Sequence, residues 1–383
     1  MTILPADFRN RVLRGPYLEQ LKLIPSGSVH LVITSPPFWR TRDFGAPVID
    51  WPEVSYKPLG YEDRYVTVPA MKVAFGQEES QGHYIAHFVC LMREVQRALR
   101  TDGSTYLNVT SNYDDGNVDN TQGLIAEALK ADGWTFRAEI IWENSIRMPE
   151  SVKSRVVRSH EHILHLTQQS SYYYDWVGIA EEGRAGVKED DYDLLGGLLP
   201  DTGVALDEIR RAKNRRSVWR TRDNVTKGQH LVPQLISALI TVGSSEKGCC
   251  PTCGAQITRD ILETVDDRPA AREPSRDPLG GAGSTNRRSH GTGAVLSYPT
   301  KMVRTVGWKR GCKCKVLKAS RCVVLDPFAG VGAVVREAIP RNRDMIAIEG
   351  IQERCSALDD LVRGTLSTRG QRDLFEDIMS GAL

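Results

Sequence analysis

The feature that most constrains this chain is residues 322–350, which read C-V-V-L-D-P-F-A-G-V-G-A, then V-V-R-E-A-I-P-R-N-R, then D-M-I-A-I-E-G. A short apolar, β-branched run over 322–325 ends at Asp326 and turns through Gly330 and Gly332 into a helical pattern. It returns as a second strand closing at Glu349. Strand, tight turn, helix and strand in this order build one unit of a doubly wound α/β sheet. The glycines let the backbone approach a ligand, and Glu349, 19 positions past Gly330, falls where an acidic side chain binds ribose hydroxyls. A strand-to-helix turn needs glycine whatever it binds, so the spacing alone leaves a nucleotide ligand open.

A second stretch narrows the reading. Residues 29–33 form an apolar run that reads as a buried strand, and T-S-P-P-F-W follows directly at 34–39. In open α/β sheets ligands bind at the carboxyl ends of strands, which is where this loop emerges. Two prolines stiffen it, and the carbonyls of Pro36 and Pro37 are expected to be free to accept from a ligand. Taken alone, the stretch also reads as an ordinary proline-rich turn.

Together, D-P-F-A-G-V-G and T-S-P-P-F-W resemble the S-adenosylmethionine-dependent amino-group DNA methyltransferases. Their order resembles the circularly permuted (beta) class, in which the catalytic half comes first, and within it a zinc-ribbon-containing subgroup. The likeness extends to M-P-E-S-V-K at 148–153. The resemblance implies that Thr34, Asp326, Pro327, Phe328, Gly330, Gly332 and Glu349 hold the cofactor, with Asp326 near its amino-acid part and Glu349 on the ribose. Ser35, Pro36, Pro37 and Phe38 would then hold the target base. The chemistry suits these residue types. An exocyclic amine is a poor nucleophile because its lone pair is delocalised into the ring. A hydroxyl at Ser35 and the Pro36 carbonyl would accept its two hydrogens and turn the lone pair toward the methyl donor, while Phe38 stacks on the base. The base must leave the duplex to reach such a pocket.

In the resembling family Ser at the first motif position is typical of enzymes acting on N4 of cytosine, and Asp of those acting on N6 of adenine. Ser35 therefore favours cytosine, with adenine the alternative. C5 methylation is disfavoured because the chain has no Pro-Cys dipeptide to supply the nucleophile. One departure is Ala333, where the family usually carries Thr. Readings of other classes are a non-catalytic DNA-binding protein of the same fold, and methylation of RNA or of a protein amide.

A chain of 383 residues can bury one large α/β core with a smaller module, and a net charge of +2 does not by itself announce nucleic acid. Residues 1–11 lack a signal-peptide core and no apolar run reaches the ~20 residues of a membrane span, so a soluble cytoplasmic protein is expected. Of eight cysteines, Cys249, Cys250, Cys253, Cys312 and Cys314 fall in two tight clusters. That spacing points to metal rather than disulfides, with Cys250, Cys253, Cys312 and Cys314 as a structural Zn set, Cys249 as the spare, and reduced unligated thiols as the alternative.

The alternation of helical and strand patterns predicts a Rossmann-like methyltransferase sheet with a target-recognition segment and a zinc-ribbon insert. The expected divisions are a catalytic half over 1–169, a target-recognition region over 170–229 and a cofactor-bordering helix within 230–247. An insert over 248–315 and a cofactor-binding half over 316–383 complete the chain. Residues 40–82 read as a long loop and 266–300 as a flexible one. Residues 352–362 read as a helix with a separate polar helix after it. Met148, Pro149, Arg155 and Arg158 are candidates for the base pocket or DNA path. In the recognition region Arg210, Arg211, Lys213, Arg215, Arg216, Arg220 and Arg222 place seven cations in thirteen positions around Trp219, which suits phosphate contact with double-stranded DNA. A solvated basic face is the alternative. The sequence leaves the recognised site, a cognate restriction enzyme as partner and the oligomeric state open.

Overall fold

Apolar side chains alternate between two faces along the central strands, so the sheet they form has to be covered on both sides. Along the strand Val323–Asp326, for example, Val323 and Leu325 enter one core and Val324 the other. A computed structural model describes residues 3–40, 45–60, 64–114, 116–143, 151–182, 208–210, 212–221, 231–266, 300–315 and 318–379. In chain order the elements used below begin with β1 (Arg11–Arg14), α1 (Tyr17–Leu23), β2 (Val29–Thr34), α2 (Gln81–Ala98) and β3 (Leu99–Val109). They continue with α3 (Thr121–Ala131), β4 (Thr135–Glu143), β5 (His160–Thr167), β6 (Val218–Arg220) and α4 (Pro233–Gly243). The last are β7 (Ile257–Asp266), β8 (Thr300–Arg310), β9 (Val323–Asp326), α5 (Ala333–Ala338), β10 (Asp344–Glu349) and α6 (Gln352–Met379).

Eight strands make one sheet in the order β1-β10-β9-β2-β3-β5-β4-β6. The pairs from β1 to β3 are parallel, β5 runs antiparallel to β3 and β4, and β6 lies parallel to β4. Helices α1, α2 and α3 cover one face, while α4, α5 and the first half of α6 cover the other. From the adjacent pair β2 and β9 the chain leaves in opposite directions, through α2 to β3 on one face and through α5 to β10 on the other. The sheet therefore reverses its winding between β2 and β9, and that crevice is where an open α/β sheet takes a ligand.

Several expectations are revised. Residues 40–82 are not simply loop: Val48–Trp51 pairs with Met71–Ala74, and Val54–Tyr56 with Val66–Val68. Trp51 and Phe75 from this stretch are fully buried against α2, which a search for long periodic runs misses because each strand is only three or four residues. The insert is a long antiparallel ribbon of β7 and β8, and 267–299 lie outside the described residues. Strand Glu208–Arg210 pairs with β8, so the recognition region and the insert share one three-stranded sheet. A buried Arg259–Asp175 ion pair at 2.9 Å ties that ribbon to residues after β5. The two expected C-terminal helices are one continuous helix, α6. Among the described residues no helix is long and apolar enough to cross a membrane.

Gly332 shows why the turn into α5 tolerates no side chain. Its φ is +81°, and a Cβ there would sit 2.5 Å from Leu361 and 2.7 Å from Leu358 on α6. Gly332→Ala combines left-handed strain with overpacking and should cost roughly 2–4 kcal/mol. Urea denaturation is expected to show the loss, whereas Gly330→Ala, at φ +54° but facing open space, should cost only about 1 kcal/mol.

Candidate functional site

Both motif loops emerge at the carboxyl ends of β2 and β9, whose register pairs Leu31 with Val324 and Val32 with Leu325. The Thr34 hydroxyl donates to Asp326 Oδ1 at 2.7 Å, and the Phe328 backbone N–H donates to the same oxygen at 3.1 Å. Asp326 Oδ2 accepts no hydrogen bond among the described residues. Burial, opposed by the Thr34 and Phe328 hydrogen bonds and reinforced by Glu349, pushes the Asp326 carboxyl up to about 7. Glu349, on the far side of β9, is also pushed up by burial, and its Oε1 accepts from the Ile351 N–H at 2.7 Å. Between the two acids the glycine turn folds back on β10, where the Ala329 N–H donates to the Ile348 carbonyl. Gly330 faces open space, with Phe328 O at 3.9 Å the nearest atom to a notional Cβ. Two buried acids flank a turn with one open wall, and the nearby charge of Arg354 partly offsets the burial of Glu349.

On the β2 side, Pro36 is buried while Ser35, Pro37 and Phe38 are partly exposed. The Pro37 carbonyl is not free as expected: the buried Tyr84 hydroxyl on α2 donates to it at 2.9 Å. Tyr84 stacks on Phe75 at 5.1 Å, Phe75 stacks on Phe328 at 5.6 Å, and Phe328 meets Tyr17 at 4.5 Å. This aromatic column links the two loops from below. Phe75 is fixed in turn by a buried polar set, in which Glu78 accepts from the Gly76 N–H and bonds His87 at 3.0 Å, and His87 stacks on Trp51 at 4.2 Å. Phe328 thus packs partly into the column.

Two residues outside the sequence motifs stand behind the serine, one in contact with it and the other bonded to the first. Asn108, near the end of β3, is 1 % exposed, and its Nδ2 donates to Ser35 Oγ at 3.3 Å and to Glu161 Oε2 at 2.8 Å. Their only signal was a polar residue inside an apolar strand pattern, Y-L-N-V, which is easily read as tolerated polarity. Beside them Arg158 donates to Thr110 Oγ1 at 2.6 Å and to the Ser111 carbonyl, and the Arg155 guanidinium lies 3.5 Å over the Tyr113 ring. Met148 and Pro149 lie outside the described residues, as does His230, and α4 begins at Pro233.

The basic run is only partly an open surface. Arg215 departs from the expectation of an exposed cation: its side chain is 4 % exposed, its Nε donates to the Ile179 carbonyl, and burial lowers its pKa. Arg216 pairs with Glu181 at 3.1 Å and Arg220 with Glu143 at 2.6 Å, while Lys213 is exposed. Trp219 is buried in the core rather than interleaved on the surface. The strand Glu208–Arg210 ends at Arg210, and Arg211 and Arg222 lie outside the described residues.

At the opposite end of the sheet the Sγ atoms of Cys250, Cys253, Cys312 and Cys314 all lie within 4.8 Å of one another. The Cys250–Cys253 turn is clamped to the sheet by Arg100, whose Nη1 donates to the Cys253 carbonyl, and by His30, whose Nε2 bonds the Gly254 carbonyl at 3.0 Å. The other ring nitrogen of His30 accepts from the Val323 N–H. Cys249 groups with His30 and Cys322 instead. With both nitrogens of His30 engaged, that second cluster has no imidazole lone pair to give a metal.

The DNA methylase family, whose profile covers N6- and N4-methyltransferases, matches residues 29–250, more than half of the chain. The chain is 28% identical over 248 residues to the Type II methyltransferase M.Cfr9I of Citrobacter freundii, covering 57% of this chain and 66% of that protein. It is 30% identical over 269 residues to the Type II methyltransferase M.XycI of Xanthomonas campestris pv. cyanopsidis, covering 62% and 73%. Among solved structures it is similar to the PvuII DNA methyltransferase (cytosine-N4-specific), at 13% identity and a TM-score of 0.45, over 94% of this chain and 91% of that one.

The buried Asp326 has a measurable signature. A carboxyl with a raised folded-state pKa binds its proton more tightly folded than unfolded, so its contribution to stability falls as pH rises from about 4 to about 7. Asp326→Asn is expected to raise the melting temperature by a few degrees at pH 8, with the gain shrinking below pH 7 and vanishing near pH 4. Thermal melts of both proteins across that range check it. The chain belongs to the DNA methylase family whose members act on N6 and N4 amines.

Proposed function

We propose that the protein transfers a methyl group from S-adenosylmethionine to the exocyclic N4 amine of cytosine in double-stranded DNA, with the target base swung out of the helix. The observation that carries the reading is the Thr34–Asp326 hydrogen bond of 2.7 Å, which sets the T-S-P-P-F and D-P-F-A-G-V-G loops side by side at the reversal of the sheet. Support comes also from the family match and from relatives named Type II methyltransferases.

The residues present fit the cofactor. Among the described residues one Asp326 oxygen has no hydrogen-bond partner, where an ammonium would relieve its burial; Glu349 suits ribose hydroxyls, and the open wall at Gly330 leaves the backbone accessible. Thr34, Pro327, Phe328 and Gly332 shape the same turn. S-adenosylmethionine, when bound, supplies an electrophilic methyl on a sulfonium. The Ser35 hydroxyl and the Pro36 carbonyl accept hydrogens of the base amine, Tyr84 takes up the Pro37 carbonyl, and Phe38 covers the base. Positioning and electrostatics are sufficient, without a covalent intermediate. Serine rather than aspartate at 35 favours cytosine over adenine. Lys213, Arg216 and Arg220, with Arg155 and Arg158 beside the crevice, are assigned to DNA phosphates. Arg210 and Arg211 belong to the same basic run.

The four clustered cysteines fit one tetrahedral Zn²⁺ bound by thiolates. Such a site would be structural, since it sits at the amino ends of β2, β3 and β9, away from both motif loops.

Labelled S-adenosylmethionine incubated with unmethylated genomic DNA, followed by digestion and nucleoside chromatography, tests the function. Label in 4-methylcytosine is expected, with Ser35→Ala lowering kcat by about 10²-fold or more. Label in 6-methyladenine overturns the base assignment, and no label in DNA overturns the activity. For the metal, elemental analysis is expected to give about one zinc per chain, and Cys312→Ser to lower both zinc content and melting temperature.

A further inference from the structure

The Ser35 hydroxyl needs a neighbour to hold it in a useful orientation. A serine hydroxyl rotates freely unless a neighbour fixes it, and a free rotor spends only part of its time with a lone pair toward the substrate. Ser35 is only partly buried, yet it meets Asn108, which is almost completely buried. The Asn108 amide has two hydrogens, and both are committed. One goes to Glu161 Oε2 at 2.8 Å and the other to Ser35 Oγ at 3.3 Å.

Glu161, 7 % exposed, decides which way round the amide sits. A carboxylate offers only acceptors, so it holds Nδ2 toward itself and repels Oδ1. Asn108 Oδ1 is left buried with no hydrogen bond among the described residues. A buried acceptor without a partner is costly, so the orientation is held against a penalty. Structures tolerate such a cost where the orientation serves something else.

The consequence reaches the crevice. Because Asn108 donates, Ser35 Oγ spends one lone pair on it and keeps one lone pair and its own hydrogen. An aminopyrimidine edge presents an N–H donor beside a ring-nitrogen acceptor, and this is the complement of what Ser35 retains. We propose that Glu161 and Asn108 are positioning residues that orient the Ser35 hydroxyl, so that it accepts from the exocyclic amine and donates to the neighbouring ring nitrogen of the target base. This rests on the proposed methyl transfer and names how that site is set. Neither residue touches the reacting atoms. They act through Ser35.

A double-mutant cycle tests it on the full chain, read as kcat at saturating S-adenosylmethionine and genomic DNA, with KM for each and the melting temperature recorded. Asn108→Ala and the near-isosteric Glu161→Gln, whose amide lets Asn108 turn over, are each expected to lower kcat by about 10- to 100-fold, with KM changing less than about threefold. Combined with Ser35→Ala, neither should lower kcat further than Ser35→Ala alone. Losses that multiply with that of Ser35→Ala, or a Glu161→Gln variant with unchanged kcat, overturn the proposal. The two levels separate cleanly: wild-type protein that labels no DNA removes the enzymatic reading itself, whereas active wild type and active Asn108→Ala remove only the relay.

Discussion

The site depends on the seam between β2 and β9, two short parallel strands from opposite ends of the sequence. Few backbone hydrogen bonds can form along so brief a pairing, and side chains close it at both ends. At the carboxyl end the Thr34 hydroxyl donates to Asp326, and at the amino end the Val323 N–H donates to the His30 ring. Because one residue of each bond lies before position 35 and the other after 322, forming the seam closes a loop of about 290 residues. Such long-range closure is slow and entropically costly, so the cohesion of this pair has to come from buried apolar contacts on both faces, with Leu325 and Val32 on one side and Leu31 and Val324 on the other.

The same seam carries a local penalty. Asp326 and Glu349 are both buried at the ends of neighbouring strands, burial penalises the charge of each, and Glu349 adds to the penalty on Asp326. A structure selected only for stability would place an amide or an apolar residue at 326. Retaining two acids beside a glycine turn makes sense if a cationic, hydroxyl-bearing ligand relieves the strain on binding, which is the pattern expected where function and stability compete.

The sequence was most legible where one motif implied one geometry. D-P-F-A-G-V-G and T-S-P-P-F-W sit on strand ends because an apolar run ending in Asp326 or Thr34 has few other ways to fold. What the sequence hid was everything supplied by short or distant pieces. Phe75 belongs to a four-residue neighbourhood with no periodicity, yet it joins Phe328 to Tyr84 and through Tyr84 to Pro37. Asn108 and Glu161 are a strand apart and 53 positions apart, so only the antiparallel pairing of β3 with β5 brings them together. Arg215 read as surface charge because a run of arginines carries no mark of which one turns inward; that choice is made by the Ile179 carbonyl and Glu181.

The two ends of the sheet divide the work. Both motif loops, the Asn108–Glu161 pair and Arg158 gather where β2, β3, β5 and β9 meet at one edge, while the cysteine turn grips the other edge through Arg100 and His30. His30 is the common member, since its ring bonds the cysteine turn with one nitrogen and the start of β9 with the other. A ring with both nitrogens committed joins the cysteine turn to the β2–β9 seam through one side chain.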